Sequence, residues 1–193
     1  RTILEIFKGV SPNRQALLLT NPRGWANVFS SVVQGAVADF IAKHLQFERV
    51  RHADFDPEEL FPEVVTQPQK ELIEGNNKAL YDQVQTDSEV ERAFVTNVLG
   101  EDIDNIVFFF KFPPKFKIGL PKVLGNYNPD WGIVREYRNG EVQRLELVRE
   151  TKGSEDENTL RFDHERRKIW AARRYFQALQ DNDIAIDYRV VTA

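Results

Sequence analysis

The feature that most restricts the fold is a pair of β-like runs, Trp131 to Tyr137 and Val142 to Thr151, flanking Arg138-Asn139-Gly140. An Asn-Gly step between two alternating runs is the strongest short-range signal for a β-hairpin. The first run opens at Pro129-Asp130 and the second closes in Glu150-Thr151-Lys152, so a hairpin brings two chemically loaded ends together. Register decides which residues meet. A two-residue loop, Asn139-Gly140, sets Asp130 opposite Arg149, and because side chains alternate with period two, Asp130 and Glu150 then lie on opposite faces. A three-residue loop, a type I turn closed by a left-handed glycine in a G1 bulge, sets Asp130 opposite Val148. Asp130, Glu150 and Lys152 then share a face, while Trp131, Ile133, Leu145 and Leu147 share an apolar one. The clean apolar face favours the three-residue loop. A two-residue loop with no compensating bulge would leave no site.

Two carboxylates and a lysine on one sheet face have a specific chemical use. Asp130 and Glu150 offer hard oxygen ligands to Mg²⁺, with Mn²⁺ as its substitute; such an ion keeps several waters and contacts substrate phosphates. Lys152 would orient or help deprotonate the attacking water, or neutralise charge on a phosphate in the transition state. A bound ion adds Lewis-acid polarisation and a more acidic water. The combination describes phosphodiester hydrolysis. The ordinary reading is an aspartate in a turn after proline and a solvated Glu-x-Lys cross-strand pair.

Pro129-Asp130 followed by Glu150-Thr151-Lys152 resembles the PD-(D/E)xK nuclease motif. The longer wording is more specific: Asn128-Pro129-Asp130-Trp131, Glu150-Thr151-Lys152-Gly153-Ser154, Leu160-Arg161 and Glu165-Arg166-Arg167-Lys168-Ile169. It is similar to the endonuclease domain at the C-terminal end of the Res subunit of type III restriction enzymes, from about Tyr81 to Phe176. The resemblance implies an α/β, restriction-endonuclease-like mixed β-sheet flanked by helices. It implies a Mg²⁺-dependent endonuclease cutting duplex DNA, with Asp130, Glu150 and Lys152 catalytic and Asp130 and Glu150 on the metal. It also implies an upstream ATP-driven motor and a methyltransferase (Mod) partner. This sequence contains no Gly-x-x-x-x-Gly-Lys-Ser/Thr loop, so ATP belongs only to that missing motor. Two alternatives stand beside it: a PD-(D/E)xK nuclease of another system, such as type I restriction or DNA repair, and a non-catalytic DNA-binding or assembly module retaining the fold.

Glu91 has two readings. Ser88-x-x-Glu91 is a capping box at the start of a helix expected over Ser88 to Leu99 and stopped by Gly100. Glu91 also shares the inward stripe of Phe94, Val95 and Val98, where a carboxylate needs a partner, and a metal is one. The Ser-Glu-Val-Glu-Arg-Ala-Phe wording resembles the same family, whose members often carry an acidic residue on this helix.

The net charge of −4 gives no support for nucleic-acid binding, so a local basic patch is required. Arg161, Arg166, Arg167, Lys168, Arg173 and Arg174 supply one just after the motif. They form either a phosphate-contacting surface or a solvated helix face. Asp163 is expected to cap their helix, which runs to about Leu179 over a core stripe of Ile169, Ala172, Phe176 and Leu179. Glu165 and Lys168, one turn apart on it, are either a surface salt pair or, as the resemblance suggests, residues that orient the sheet carboxylates.

The rest of the chain reads as scaffold. Residues 1–75 are expected to form a mostly helical N-terminal extension packed on the core, and 76–193 the nuclease core. A short amphipathic helix covers residues 1–10, Ser11-Pro12-Asn13 breaks it, and Leu17-Leu18-Leu19 is too short to assign. A long helix starts at Asn21-Pro22, with Phe29, Val32, Val33, Ala36, Val37, Phe40 and Ile41 as its packing stripe. Glu71 to Lys78 is a polar connection and Lys78 to Asp82 a brief extended segment. Ile106 to Phe112 is a strand buried on both faces, and Ile184 to Val191 a closing strand. There is no apolar run long enough to span a membrane. Without cysteine there is no disulfide, and a cytoplasmic setting is compatible. An opening Arg1 in place of methionine suggests an excised fragment.

Overall fold

The computed structural model describes residues 2–48, 56–63, 71–136, 143–151 and 162–191. Internal contacts divide the chain into two units, Arg1–Ala42 and Lys43–Ala193.

The first unit is helical: α1 Thr2–Gly9, α2 Pro12–Thr20 and most of α3 Pro22–His44. The break after α1 is narrower than expected. Pro12 opens α2, because the first turn of a helix needs no N–H from it, and Leu17 to Leu19 therefore belong to that helix. Asn21 caps α3 through its Oδ1, which accepts from the Gly24 N–H at 3.0 Å. The stripe expected to pack is not a core: Val32, Val37 and Phe40 are exposed, and the buried residues are Ala38 and Ala42. Helical spacing shows that an apolar face exists; what covers a face is not written in its spacing.

In the second unit, α4 Pro57–Leu60 is capped by Asp56, whose Oδ1 accepts from the Glu58 N–H at 2.9 Å. Strands β1 Leu72–Glu74 and β2 Gln83–Gln85 pair antiparallel, where a plain polar connection was expected before Lys78. The extended segment after β1 runs along β3 (Ile106–Lys111). Leu80 N–H donates to the Phe109 carbonyl at 2.9 Å, and Phe109 N–H to the Lys78 carbonyl at 2.8 Å.

Helix α5 (Glu89–Ala93) continues as a π-helical segment, Phe94–Leu99. Gly100 does not stop it: at φ −62°, ψ −41° it remains helical. Phe94, Val95 and Leu99 of this segment are buried in one cluster with Phe109, Trp131 and Ile133.

The principal sheet has the order β3-β4-β5-β6, with β4 Trp131–Glu136, β5 Gln143–Thr151 and β6 Arg189–Val191. The first three strands are antiparallel and β6 is parallel to β5, so the chain must cross over between them, and α6 (Asp163–Gln180) makes the crossover. Phe109, Trp131 and Ile133 pack with the π segment; Phe112 packs with Ala172 and Phe176 of α6. The core is thus an α/β layer arrangement with helices serving both faces of a mixed sheet.

β3 is not buried on both faces as expected. Phe108 is exposed and stacks on Phe110 at 6.0 Å between ring centroids. On α6 the stripe of Ile169, Ala172 and Phe176 is buried as read from the sequence, and Leu179 is half-buried. Asp163 is its first helical residue, not its cap, and its Oδ1 accepts from Arg166 Nη2 at 3.0 Å.

The hairpin register corrects the sequence reading. Ile133 faces Glu146 and Val134 faces Leu145, whereas the expected three-residue loop needs Ile133 opposite Leu145; residues 137–142, the loop itself, lie outside the described residues. The pairing then shifts between Gly132, opposite Leu147, and Trp131, opposite Arg149. Val148 is the extra residue of a β-bulge. Asp130 and Glu150 are the chain neighbours of that last pair, Asp130 standing just before β4.

Candidate active site

Asp130 stands where a tightly held loop enters β4. The loop is pinched by Ile118 and Tyr127, which exchange main-chain hydrogen bonds of 2.8 and 3.1 Å. Gly125 makes the turn within it at φ 74°, a conformation that favours glycine. Asn128 Nδ2 donates to the Pro113 carbonyl at 3.1 Å, Pro129 is fully buried, and Phe112 N–H donates to the Asp130 carbonyl at 2.9 Å. The main chain of Asp130 is therefore fixed while its side chain keeps partial access to solvent.

On the neighbouring strand Glu150 pairs with Val190 of β6, in the stretch of β5 that has strands on both sides. The Glu150 side chain, Lys152 and Arg161 lie outside the described residues. From the other layer, Glu165 and Lys168 occupy the same side of α6 as Ala172. Lys168 reaches the loop below: its Cε lies 3.9 Å from where a Cβ on Gly125 would be.

Glu91 is 9% exposed, and both parts of its sequence reading find a physical answer. Ser88 Oγ accepts from the Glu91 N–H at 3.2 Å, one arm of a capping box. The other arm reaches one residue further back, where Glu91 Oε2 accepts from the Asp87 N–H at 2.7 Å. The inward carboxylate has a cationic partner that the sequence reading missed. Lys111 Nζ, at the end of β3, lies 2.6 Å from Glu91 Oε2 and 2.6 Å from Asp87 Oδ2. The available signal was a lysine closing an otherwise apolar strand. The same ammonium sits 5.7 Å from the centroid of the buried Trp131 ring, itself 5.9 Å from Phe94.

Among the described residues, no three His, Cys, Asp or Glu side chains converge as a metal cluster, so Glu91, Asp87 and Asp130 do not form one. Of the two carboxylates expected on the metal, Asp130 is partly open to solvent on a fixed main chain, and the Glu150 side chain lies outside the described residues. The basic cluster is divided. Arg166 is half-buried, bound to Asp163 and 5.2 Å from the Trp170 ring centroid. Arg173 and Arg174 are exposed, with Arg174 Nε donating to the Lys43 carbonyl at 3.0 Å, and Arg167 is half-buried.

Residues 77–193 match the RE_endonuc family model, an endonuclease domain. The chain belongs to the RE_endonuc family. No curated protein and no solved structure matches it. The family match covers α5, the whole principal sheet and α6, which are the elements that carry the candidate site. It supports a restriction-type endonuclease domain, and this endonuclease domain contains the Tyr81–Phe176 stretch that carries the sequence resemblance.

Proposed function

We propose that the chain is a Mg²⁺-dependent endonuclease domain of restriction-endonuclease-like fold, hydrolysing phosphodiester bonds of duplex DNA as part of a type III restriction Res subunit. The observation that carries this reading is the match of residues 77–193 to a family of endonuclease domains, in which Asp130 and Glu150 are the chain neighbours of the paired Trp131 and Arg149. The type III context rests on the Asn128-Pro129-Asp130-Trp131 and Glu150-Thr151-Lys152-Gly153-Ser154 wording.

In this mechanism Asp130 and Glu150 hold the cation. The ion supplies Lewis-acid polarisation of a phosphate oxygen and acidifies bound water when present. Lys152 would orient the attacking water or offset the negative charge that grows on the phosphate. Lys168, held over the loop that delivers Asp130, and Glu165 on the same helix side keep the two sheet ends in place. Arg161, Arg166, Arg167, Arg173 and Arg174 supply phosphate contacts along α6 and just before it.

Plasmid nicking in Mg²⁺ by the wild type, Asp130→Ala and Lys152→Ala tests the reading. Each variant should lose about a hundredfold or more of the rate, as removal of a group that stabilises a transition state does, with an unchanged circular dichroism spectrum. Wild-type rates in either variant would refute the assignment.

A further inference from the structure

Helix α3 turns its apolar stripe to solvent. From Trp25 to Phe40 the stripe recurs at helical spacing, yet Val32 and Phe40 are 64% and 63% exposed. The residues α3 buries are Ala38 and Ala42, which lie on its other side. A single helix is marginal in water, and in proteins its stability comes mainly from packing an apolar face. Gly24, Gly35, Ser30, Ser31 and the valines are poor helix formers, so α3 depends on such packing more than most.

Between Gly24 and Ala38 the helix has no charged residue. It lacks the Lys- and Arg-rich polar face of a helix that lies on a membrane. It also offers no charge pattern that would select a partner of complementary charge. A second copy of the same face meets no like charge there.

We infer that this face pairs two copies of the chain, α3 against α3, antiparallel about a two-fold axis between Val32 and Val33. A two-fold contact has to be self-complementary, and the stripe meets that condition. The axis sets Val32 against the partner's Val33 and Val28 against the partner's Val37. Phe29 falls on the partner's Ala36, a large side chain on a small one, as in facing layers that interdigitate. Trp25 and the partner's Phe40 close each end with aromatic surface. The antiparallel arrangement also opposes the two helix dipoles. Covering the stripe in both copies removes on the order of 1,200 Å² from water, the size at which specific interfaces become stable.

Sedimentation equilibrium of the 193-residue chain across the micromolar range tests the pairing. The expected species has twice the 22.4 kDa mass of the chain. Val32→Glu and Val33→Lys each bury charge beside the axis and should weaken the dimer about a hundredfold or more. Ser31→Glu, on the opposite side of the same helix, should leave it intact. Val32→Glu mixed in equal amounts with Val33→Lys should dimerise again, because the axis sets the carboxylate against the ammonium. Variants that had merely lost their fold would not recover in this way. A wild-type monomer over the whole range would overturn the inference and leave the face to a different partner. A dimer that survives Val32→Glu, or one lost in Ser31→Glu, would overturn it as well. A mixture that stays monomeric would refute the antiparallel register and the inference with it.

Discussion

Gly132 lies on the bulge and against the ring of Phe110. A Cβ at Gly132 would stand 2.3 Å from Phe110 Cζ, closer than any real contact. Gly132→Ala must therefore push that ring, which packs edge-on against Phe61 and Phe112. The expected loss is about 1–3 kcal/mol, typical of overpacking, read as a lower urea midpoint with unchanged slope. Phe110→Leu in the same chain should return part of it. An unperturbed Gly132→Ala would mean that the strands are further apart than described. At this scale the sequence singled out candidate residues but not all their neighbours. Asp130 and Glu91 were legible from local motifs. Lys111 was not, because its partners lie 20 and 24 residues away and no local spacing encodes them.

Two elements decide whether those residues can act together. The first is the β4–β5 ladder. Asn139-Gly140 and the alternation announced a hairpin, and the three-residue loop appeared necessary to bring Asp130 and Glu150 to one face. The pairing of the described residues follows the other register, with Val148 left over between the partners of Gly132 and Trp131. A bulge has no strong residue signature here; it answers to the twist and pairing of strands on both sides, so sequence alone could not put it at Val148. The second element is α5. Its cap was legible, and Ser88→Ala should cost about 1 kcal/mol in stability, measured by denaturant unfolding. A change near zero would show that the Asp87–Glu91–Lys111 cluster alone holds the helix start. The π segment beyond it was not legible, since the same apolar residues satisfy an ordinary helix pattern.

Across the whole molecule, the second unit carries the chemistry that the sequence offers. Family membership spans 77–193, while the principal sheet begins at Ile106 and the contact boundary falls at Ala42. No helix among the described residues is long and apolar enough to cross a membrane. The overall charge of −4 opposes DNA, so the duplex binding proposed above would rest on the local arginines of α6 and is expected to weaken steeply with salt. The chain carries no phosphate-cradling glycine loop, and purified protein should show no ATP turnover above background in a coupled assay. Measurable turnover would contradict the proposed division of labour, in which a motor and a methyltransferase partner regulate cutting from outside this sequence.

The most direct measurement is calorimetric titration of Mn²⁺ into the wild type and Asp130→Ala. Binding in the wild type that disappears in the variant is expected if Asp130 and Glu150 hold the catalytic ion. Equal binding in both proteins would contradict that centre.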